Sequence, residues 1–570
     1  MEILMKRNFT EHIKRQVISL DGSWRFATDK KAIGEKDGWF SALPEWSTVE
    51  VPSVWNEESG LLDYEGICWY ERSFYFCGGT LRLAFDAVMT YAKVWLDGEY
   101  LGDHYGGFTA FDFIKSGVTE GEHRVTVMVD NRFDAHSIPA KAVDWYHYGG
   151  IVRSVSAERL DGVSVLGSKF EYELSEDLSR ASCRPLIRLY NASSNEREAT
   201  VSLKLNSEEL ISLSATFAPG KTELALPPFT VASPKLWSPD APNLYDLSIE
   251  TDTDDLYDRV GFRKVEVSPR GVSINGKVLE IRGVNRHDEY PTFGFAFPAS
   301  RIKHDLELAE DIGCNAIRGS HYPNSQKVVD YLDERGLMFW SEIPIWGCGF
   351  SIDALGDPIV VERGLTMHRE MLEQYYNHPS IIIWGMHNEI RSDSENAYAM
   401  SKKYYEFLKA NGGNRLVSYA SNNPMTDICF EFCDIICLNV YYGWYSGGMN
   451  AWDNFITEFC ERRDSLGFGN KPIIFSEFGA AALYGFHDAE CPRWSEEYQA
   501  KLLRHCLTLF HKRPEVVGSF VWQFCDIRTC AEMGYTRARG FNNKGILNEW
   551  RRPKAGYYAV KDCYTAAKSE

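Results

Sequence analysis

Two glutamates in this chain stand where an acid and a base could share one substrate atom. Glu389 closes the stretch Ile383-Trp384-Gly385-Met386-His387-Asn388-Glu389, and Glu477 sits within Phe475-Ser476-Glu477-Phe478-Gly479. Cleavage of a glycosidic bond needs two carboxyl groups of opposite habit. One is held protonated to donate to the leaving oxygen; the other is ionised and attacks the anomeric carbon. Asn388, directly before one of them, can hydrogen-bond a sugar 2-hydroxyl, a contact that tightens as positive charge develops on the ring. A lone glutamate after an apolar run is as often a structural ion pair. Two of them on opposed elements weaken that reading.

The elements that must position this pair follow from the periodicity. From about residue 271, short and almost continuous apolar runs alternate with amphipathic stretches. The runs are 278–284, 315–320, 338–343, 381–388, 416–420, 435–440, 473–478 and 516–524. Runs of this kind are buried on both faces, as in a parallel sheet, and helical periods such as 325–336 and 497–510 separate most of them. Eight strand–helix units over residues 271–570 predict a (β/α)8 TIM barrel, whose chemistry lies at the carboxyl ends of the strands. Glu389 and Glu477 end the fourth and seventh runs, which face each other across such a barrel. A separation of about 5–5.5 Å would give retention of configuration. Residues 1–162 read as short strands punctuated by turn pairs such as Asp97-Gly98, a pattern for a jelly-roll β-sandwich. Residues 163–270 carry period-two alternation, as in Thr200-Val201-Ser202-Leu203-Lys204-Leu205, and suit an immunoglobulin-like β-sandwich.

Composition excludes several classes. With 570 residues and a net charge of −19, the chain lacks the basic balance of a nucleic-acid binder or of a polybasic membrane contact. An acidic protein that takes an anionic sugar needs a local cation to overcome its own field. No apolar run reaches the length of a membrane span. The first twenty residues mix Lys6, Arg7, Glu11, Lys14 and Arg15 through the apolar ones, whereas an export signal needs an unbroken apolar stretch of roughly 7–15 residues; a cytoplasmic location is expected. The fourteen cysteines form no CxxC pair. Cys429, Cys433 and Cys437, spaced by four, lack an evident fourth ligand, so reduced cysteines filling core space are expected.

At this point the motifs point to a family. Asn377-His378-Pro379-Ser380-Ile381-Ile382-Ile383-Trp384-Gly385-Met386-His387-Asn388-Glu389 resembles the acid/base motif of glycoside hydrolase family 2. Asn315-Ala316-Ile317-Arg318-Gly319-Ser320-His321-Tyr322-Pro323 resembles that family's other motif, with Gly319 where a small polar residue is usual. The resemblance covers nearly the whole chain, both β-domains included. It implies that Glu389 is the acid/base and Glu477 the nucleophile. Tyr441 matches the tyrosine that hydrogen-bonds the nucleophile, Trp522 the platform on which the sugar stacks, and His287 and His321 two subsite positions. The bland alternatives are core aromatics and structural histidines.

The fold does not choose the sugar, so the site must. Asn542-Asn543-Lys544-Gly545 resembles the Asn-x-Lys motif by which the family's glucuronidases grip a C6 carboxylate; an ammonium supplies charge and an amide supplies direction. Those enzymes place an arginine four residues before the Asn. Here that position is Ala538, flanked by Arg537 and Arg539, and the sequence does not choose between them. Asp144-Trp145-Tyr146-His147-Tyr148-Gly149-Gly150 resembles the loop by which the first domain reaches the barrel mouth, Asp144 matching the residue that contacts the sugar 4-hydroxyl. Asn439 and Tyr445, in Asn439-Val440-Tyr441-Tyr442-Gly443-Trp444-Tyr445, are further subsite candidates. Pro344-Ile345-Trp346-Gly347-Cys348 lacks the Glu and His of the family's metal-dependent galactosidases, so no catalytic metal is expected, and no motif asks for a cofactor. Residues 346–364 are too few for the long lid of some gut bacterial glucuronidases, and no further carbohydrate-binding domain is expected after the barrel. The resemblance therefore implies a retaining hydrolase of small-molecule β-D-glucuronides, assembled as a tetramer or dimer. The alternatives are β-galacturonides, which differ in the handling of the 4-hydroxyl, or the substrate of another β-glycosidase of the family, and more remotely a sugar binder without activity.

Overall fold

The computed structural model describes residues 7–569. Residues 1–6, on which part of the export-signal reading rests, and residue 570 lie outside the described residues. The first domain is built on an eight-stranded antiparallel sheet. Its spine is the long pair Ile67–Phe85 and Phe111–Asp130, whose register shifts between Gly79 and Leu81. Trp24, Phe26, Leu83, Phe85, Val94 and Val127 form its main core, and Trp69, Trp95 and Met128 a smaller one. The second domain packs two four-stranded sheets. Alternation over Arg197–Leu205 sends Val201, Leu203 and Leu205 inward against Ile187, Leu189, Leu247 and Ile249, as the period-two pattern requires. Arg263, almost fully buried, ties this sandwich to the barrel by donating to the carbonyls of Pro379, Ile381 and Asn414. Among the described residues no helix is long and apolar enough to cross a membrane.

The remainder is a closed barrel of eight parallel strands. They are β1 (Ile281–Arg286), β2 (Ala316–Gly319), β3 (Met338–Glu342), β4 (Ile381–Asn388), β5 (Leu416–Ser421), β6 (Ile436–Asn439), β7 (Ile473–Phe478) and β8 (Val516–Val521). The helix Gln326–Arg335 ends on Gly336 at φ +72°, the left-handed conformation that glycine adopts without penalty. The helix Glu496–Lys512 begins where Ser495 Oγ accepts the Tyr498 amide.

Two runs divide differently from the expectation. The apolar run at 278–284 is two elements: Lys277–Leu279 belongs to a three-stranded antiparallel sheet with Val265–Ser268 and Gly271–Ile274, and β1 starts only at Ile281. This small sheet caps the amino-terminal end of the barrel, where Val265, Val272 and Ile274 pack on Ile281, Met338, Ile383 and Ile474. The boundary drawn at residue 270 passes through the hairpin of that cap, where Ser268 faces Gly271. The eighth run, expected to reach residue 524, ends as a regular strand at Val521; just beyond it the Trp522 N–H still donates to Phe478 O and the Phe524 N–H to Asn285 O, both at 2.9 Å.

Gly319 has a packing reason. A Cβ there would lie 2.4 Å from Phe339 Cζ and 3.2 Å from Asn324 Cγ, and the Phe339 ring is buried. Gly319→Ser is expected to lower stability by about 1–3 kcal/mol, the usual cost of overpacking; chemical denaturation of the two proteins side by side measures it.

Candidate active site

β4 ends at Asn388, and Glu389 follows with φ +52°. That left-handed conformation costs a non-glycine residue roughly 1–2 kcal/mol, and neighbouring loops hold it in place. The Asn388 amide donates to Ile345 O and the Glu389 amide to Ala420 O, both at 2.9 Å. Gly347 lies against the turn, since a Cβ there would come 2.4 Å from Glu389 O. The Glu389 carboxylate accepts from Asn439 Nδ2 at 2.6 Å and from Asn422 Nδ2 at 3.3 Å. Burial, and then the charge of Glu477, push its carboxyl up to about 8. It is therefore protonated at neutral pH.

Glu477, on β7, is held differently. Its two oxygens accept from Arg318 Nη1 at 2.8 Å and from the Tyr441 hydroxyl at 2.7 Å. Burial raises this carboxyl too, but the Arg318 guanidinium and the Tyr441 hydrogen bond work against that rise. Of the two acids, Glu477 is the one braced by a cation, and it is the one built to be ionised.

Arg318 and Glu342 were not singled out from the sequence, yet they organise this centre. Arg318, fully buried on β2, forms a fork with both oxygens of Glu342 on β3, at 2.8 and 3.0 Å. It also donates to Asn388 Oδ1 at 2.7 Å and to Asn285 Oδ1 at 3.1 Å. A signal for it existed: an arginine inside an apolar strand has to find acidic partners on neighbouring strands. Glu342 shares its Oε1 with His321 Nδ1 at 2.7 Å. His287 meets the Tyr322 hydroxyl at 3.2 Å through Nδ1. Burial lowers both imidazoles well below their ordinary value, so both are neutral. His287 Nε2, His321 Nε2 and Asn388 Nδ2 are buried and make no hydrogen bond among the described residues. Unpaired buried polar atoms are costly, and these three at neighbouring strand ends suit a ligand rich in hydroxyls. The Trp522 ring stacks on His321 at 5.1 Å, and Trp145 of the first domain packs against His287, His321 and Trp346.

A second cluster adjoins the first through Tyr441. Lys544 Nζ lies 5.7 Å from the Tyr441 ring centre and donates to the Tyr445 hydroxyl at 2.7 Å. The lysine is 1% exposed. Among the described residues no carboxylate stands within ion-pair distance of it, although most buried cations here have one. Asn542 donates to Asp144 Oδ2 at 2.6 Å. Asp144 is further gripped by Arg537 at 2.8–3.2 Å, and Arg537 Nη1 reaches the Tyr445 hydroxyl at 3.2 Å. The structure thus separates the two candidate arginines. Arg537 joins this cluster, while Arg539 pairs with Glu549 at 3.0 Å and is largely exposed.

A cavity of about 420 Å³ lies elsewhere, in the cleft between the sandwiches and the barrel. Its arginines are already paired: Arg7 with Asp330, Arg82 with Glu158 and Arg188 with Glu373. Among the described residues two groups each bring ligand atoms within reach of a single metal ion, His12 with Asp254 and Asp255, and Asp330 with Asp333 and His378. Neither includes a residue of the carboxylate cluster, and Arg15 and Arg7 already answer charge in each.

A (β/α)8 barrel that brings two such carboxyl groups to its strand ends, behind two β-sandwiches, has the build of a glycoside hydrolase. The chain matches the family model "Glycosyl hydrolases family 2, TIM barrel domain" over residues 265–569, the sugar binding domain of that family over 57–160, and its remaining domain over 163–263. It belongs to glycosyl hydrolase family 2 and is a glycoside hydrolase. Among curated relatives it is 27% identical to a β-glucuronidase of Paenibacillus borealis, over 95% of this chain and 96% of the relative. It is also 27% identical to the β-glucuronidase of Homo sapiens, over 98% and 92%. Among solved structures it resembles a β-galacturonidase from Eisenbergiella tayi bound to galacturonate, with TM-score 0.92, 32% identity and 99% of each chain covered. It resembles a β-glucuronidase from Ruminococcus gnavus in complex with D-glucuronic acid with TM-score 0.85 and 27% identity, over 98% of this chain and 99% of the other.

Proposed function

We propose that this enzyme is a retaining β-glucuronidase. The observation that carries the reading is the buried Lys544 ammonium, which has no carboxylate partner among the described residues and lies one ring's breadth from the residue that touches Glu477. A C6 carboxylate supplies the missing charge. Lys544, Asn542 and Arg537 bind it, Asp144 orients the last two and meets the 4-hydroxyl, and Tyr445 closes the pocket. Asn388 binds the 2-hydroxyl, Asn439 steadies Glu389, and Trp522, His287 and His321 line the floor under the sugar. In the first step Glu477 attacks the anomeric carbon, the bond to the aglycone oxygen breaks, and that oxygen takes the proton of Glu389. In the second step water attacks the same carbon, Glu389 takes its proton, and the bond to Glu477 breaks. The described cysteines are all free thiols, which supports a reducing, cytoplasmic setting. A homo-oligomer, tetramer or dimer, completes the proposal; sedimentation tests it.

A β-galacturonidase is the second reading. It is favoured by the Eisenbergiella tayi structure, to which the chain is more alike in both sequence and shape than to the Ruminococcus gnavus one. The two sugars differ only at carbon 4, so p-nitrophenyl β-glucuronide and β-galacturonide compared at one enzyme concentration decide between them. Lys544→Met is expected to lower kcat/KM on the preferred uronide by about 100-fold, as loss of a charge-assisted contact of roughly 3 kcal/mol does. On the matched neutral glycoside it leaves kcat/KM within a few-fold. An equal loss on both substrates would refute the carboxylate role.

A further inference from the structure

Beneath Lys544 lies a second buried lysine that no step above uses. Lys554 is 0% exposed and donates from one ammonium to three acceptors: Asp526 Oδ1 at 2.7 Å, Ala482 O at 2.7 Å and Asn543 O at 3.2 Å. Each acceptor belongs to a different part of the site. Ala482 follows β7, which carries Glu477. Asp526 follows β8, which leads into Trp522. Asn543 sits between Asn542 and Lys544. Asp526 in turn accepts the Gly545 amide at 3.0 Å and Asn543 Nδ2 at 3.2 Å. From the other side Gln499 Nε2 donates to Ala480 O, Lys544 O and Gly545 O at 2.9–3.3 Å.

The backbone is fitted closely around this knot. A Cβ on Gly545 would fall 2.2 Å from the Asp526 nitrogen, and one on Gly556 would fall 2.4 Å from Gln499 Oε1. A buried ion pair is weak evidence for stability, because desolvation offsets most of its attraction. What it does supply is a fixed geometry between the elements it joins. Here those elements are the strand bearing Glu477 and the loop bearing Lys544. In a uronide the carbon under attack and the C6 carboxylate stand at a set distance on one ring. The protein must hold its two anchors at the matching distance.

We infer that the Lys554–Asp526 pair, with Gln499, is a positioning device that sets Lys544 relative to Glu477 and so carries part of the enzyme's preference for acidic sugars. The inference rests on the uronide reading above. Lys554 touches no substrate; it acts through the loop.

The test is the charge-neutral double variant Lys554→Met with Asp526→Asn, which leaves no stranded charge in the core. kcat/KM is measured on an aryl β-uronide and on the aryl β-glycoside of the same sugar without the acid group. The variant is expected to lose about ten- to hundred-fold on the uronide, the usual effect of a misplacement near 1 Å, and to change within about twofold on the neutral substrate. Placed in a Lys544→Met background, the same double change is expected to cost almost nothing further on the uronide, because the anchor it positions is gone. Gln499→Met, which removes no charge, gives a smaller loss of the same selective kind and serves if the double variant does not fold. Equal losses on both substrates, or a full additional loss in the Lys544→Met background, would mean that the pair merely stabilises the fold. If the unmodified enzyme shows no preference for the uronide, the functional reading falls instead, and the two failures are told apart.

Discussion

Glu477→Gln is expected to abolish turnover, with kcat falling on the order of 10⁴-fold or more, as loss of a covalent nucleophile does. The change keeps the volume of the side chain and one oxygen for Arg318 or Tyr441, so binding of the free uronic acid survives. Calorimetry on the inactive protein reads that binding directly. The charge argument adds a second, independent outcome. Glu477 is among the groups that raise Glu389, so the neutral amide lowers the Glu389 carboxyl toward its ordinary value. Infrared or carbon-labelled titration of Glu389 in the variant detects that fall. Turnover close to that of the unmodified enzyme would sink the assignment of the nucleophile.

The second large effect belongs to Glu389→Gln, and it depends on the aglycone. A general acid contributes about 10²–10⁴-fold, and most of that is needed when the departing alcohol is a poor leaving group. Alkyl glucuronides therefore lose the full factor. A p-nitrophenyl glucuronide still loads the enzyme, then stalls because no base activates water, and a burst of nitrophenol equal to the enzyme concentration appears. In the unmodified enzyme Glu389 carries its proton below about pH 8 and loses it above. Proton donation is thus available at neutral pH and fades as the pH rises through that value. Glu477 must be ionised, and its carboxyl is raised above the ordinary 4.5, so activity also fades on the acid side. The bell-shaped profile of kcat/KM reports this pair as a unit, and the glutamine variant is expected to lack the alkaline limb.

Most of the fold could be read from the chain because β-sandwiches and parallel barrels write different periods. The fourth and seventh strands, with their terminal glutamates, coincide with the apolar runs at 381–388 and 473–478. The first strand misled because Leu279 and Ile281 are both apolar for unrelated reasons, one in the cap and one in the barrel. Only pairing separates them. In the candidate site, single residues at strand ends were legible as candidates, and residues joined to the site through a partner were not. Arg318 and Glu342 became significant only as a fork across β2 and β3. The choice between Arg537 and Arg539 turned on a three-residue helical turn, Ala538–Gly540, and on an aspartate nearly 400 positions away. No local pattern carries that information.

The small sheet that seals the lower end of the barrel has a bearing on traffic. With the base stoppered, the released alcohol and the incoming water share the carboxyl end of the barrel, where Glu389 and Glu477 stand. Under the double displacement proposed above, an alcohol slow to diffuse away is expected to obstruct hydration of the glycosyl-enzyme. Under the same mechanism, one supplied in excess is expected to intercept the sugar and carry it off as a new conjugate, which places the balance between hydrolysis and transfer at the mouth of the barrel.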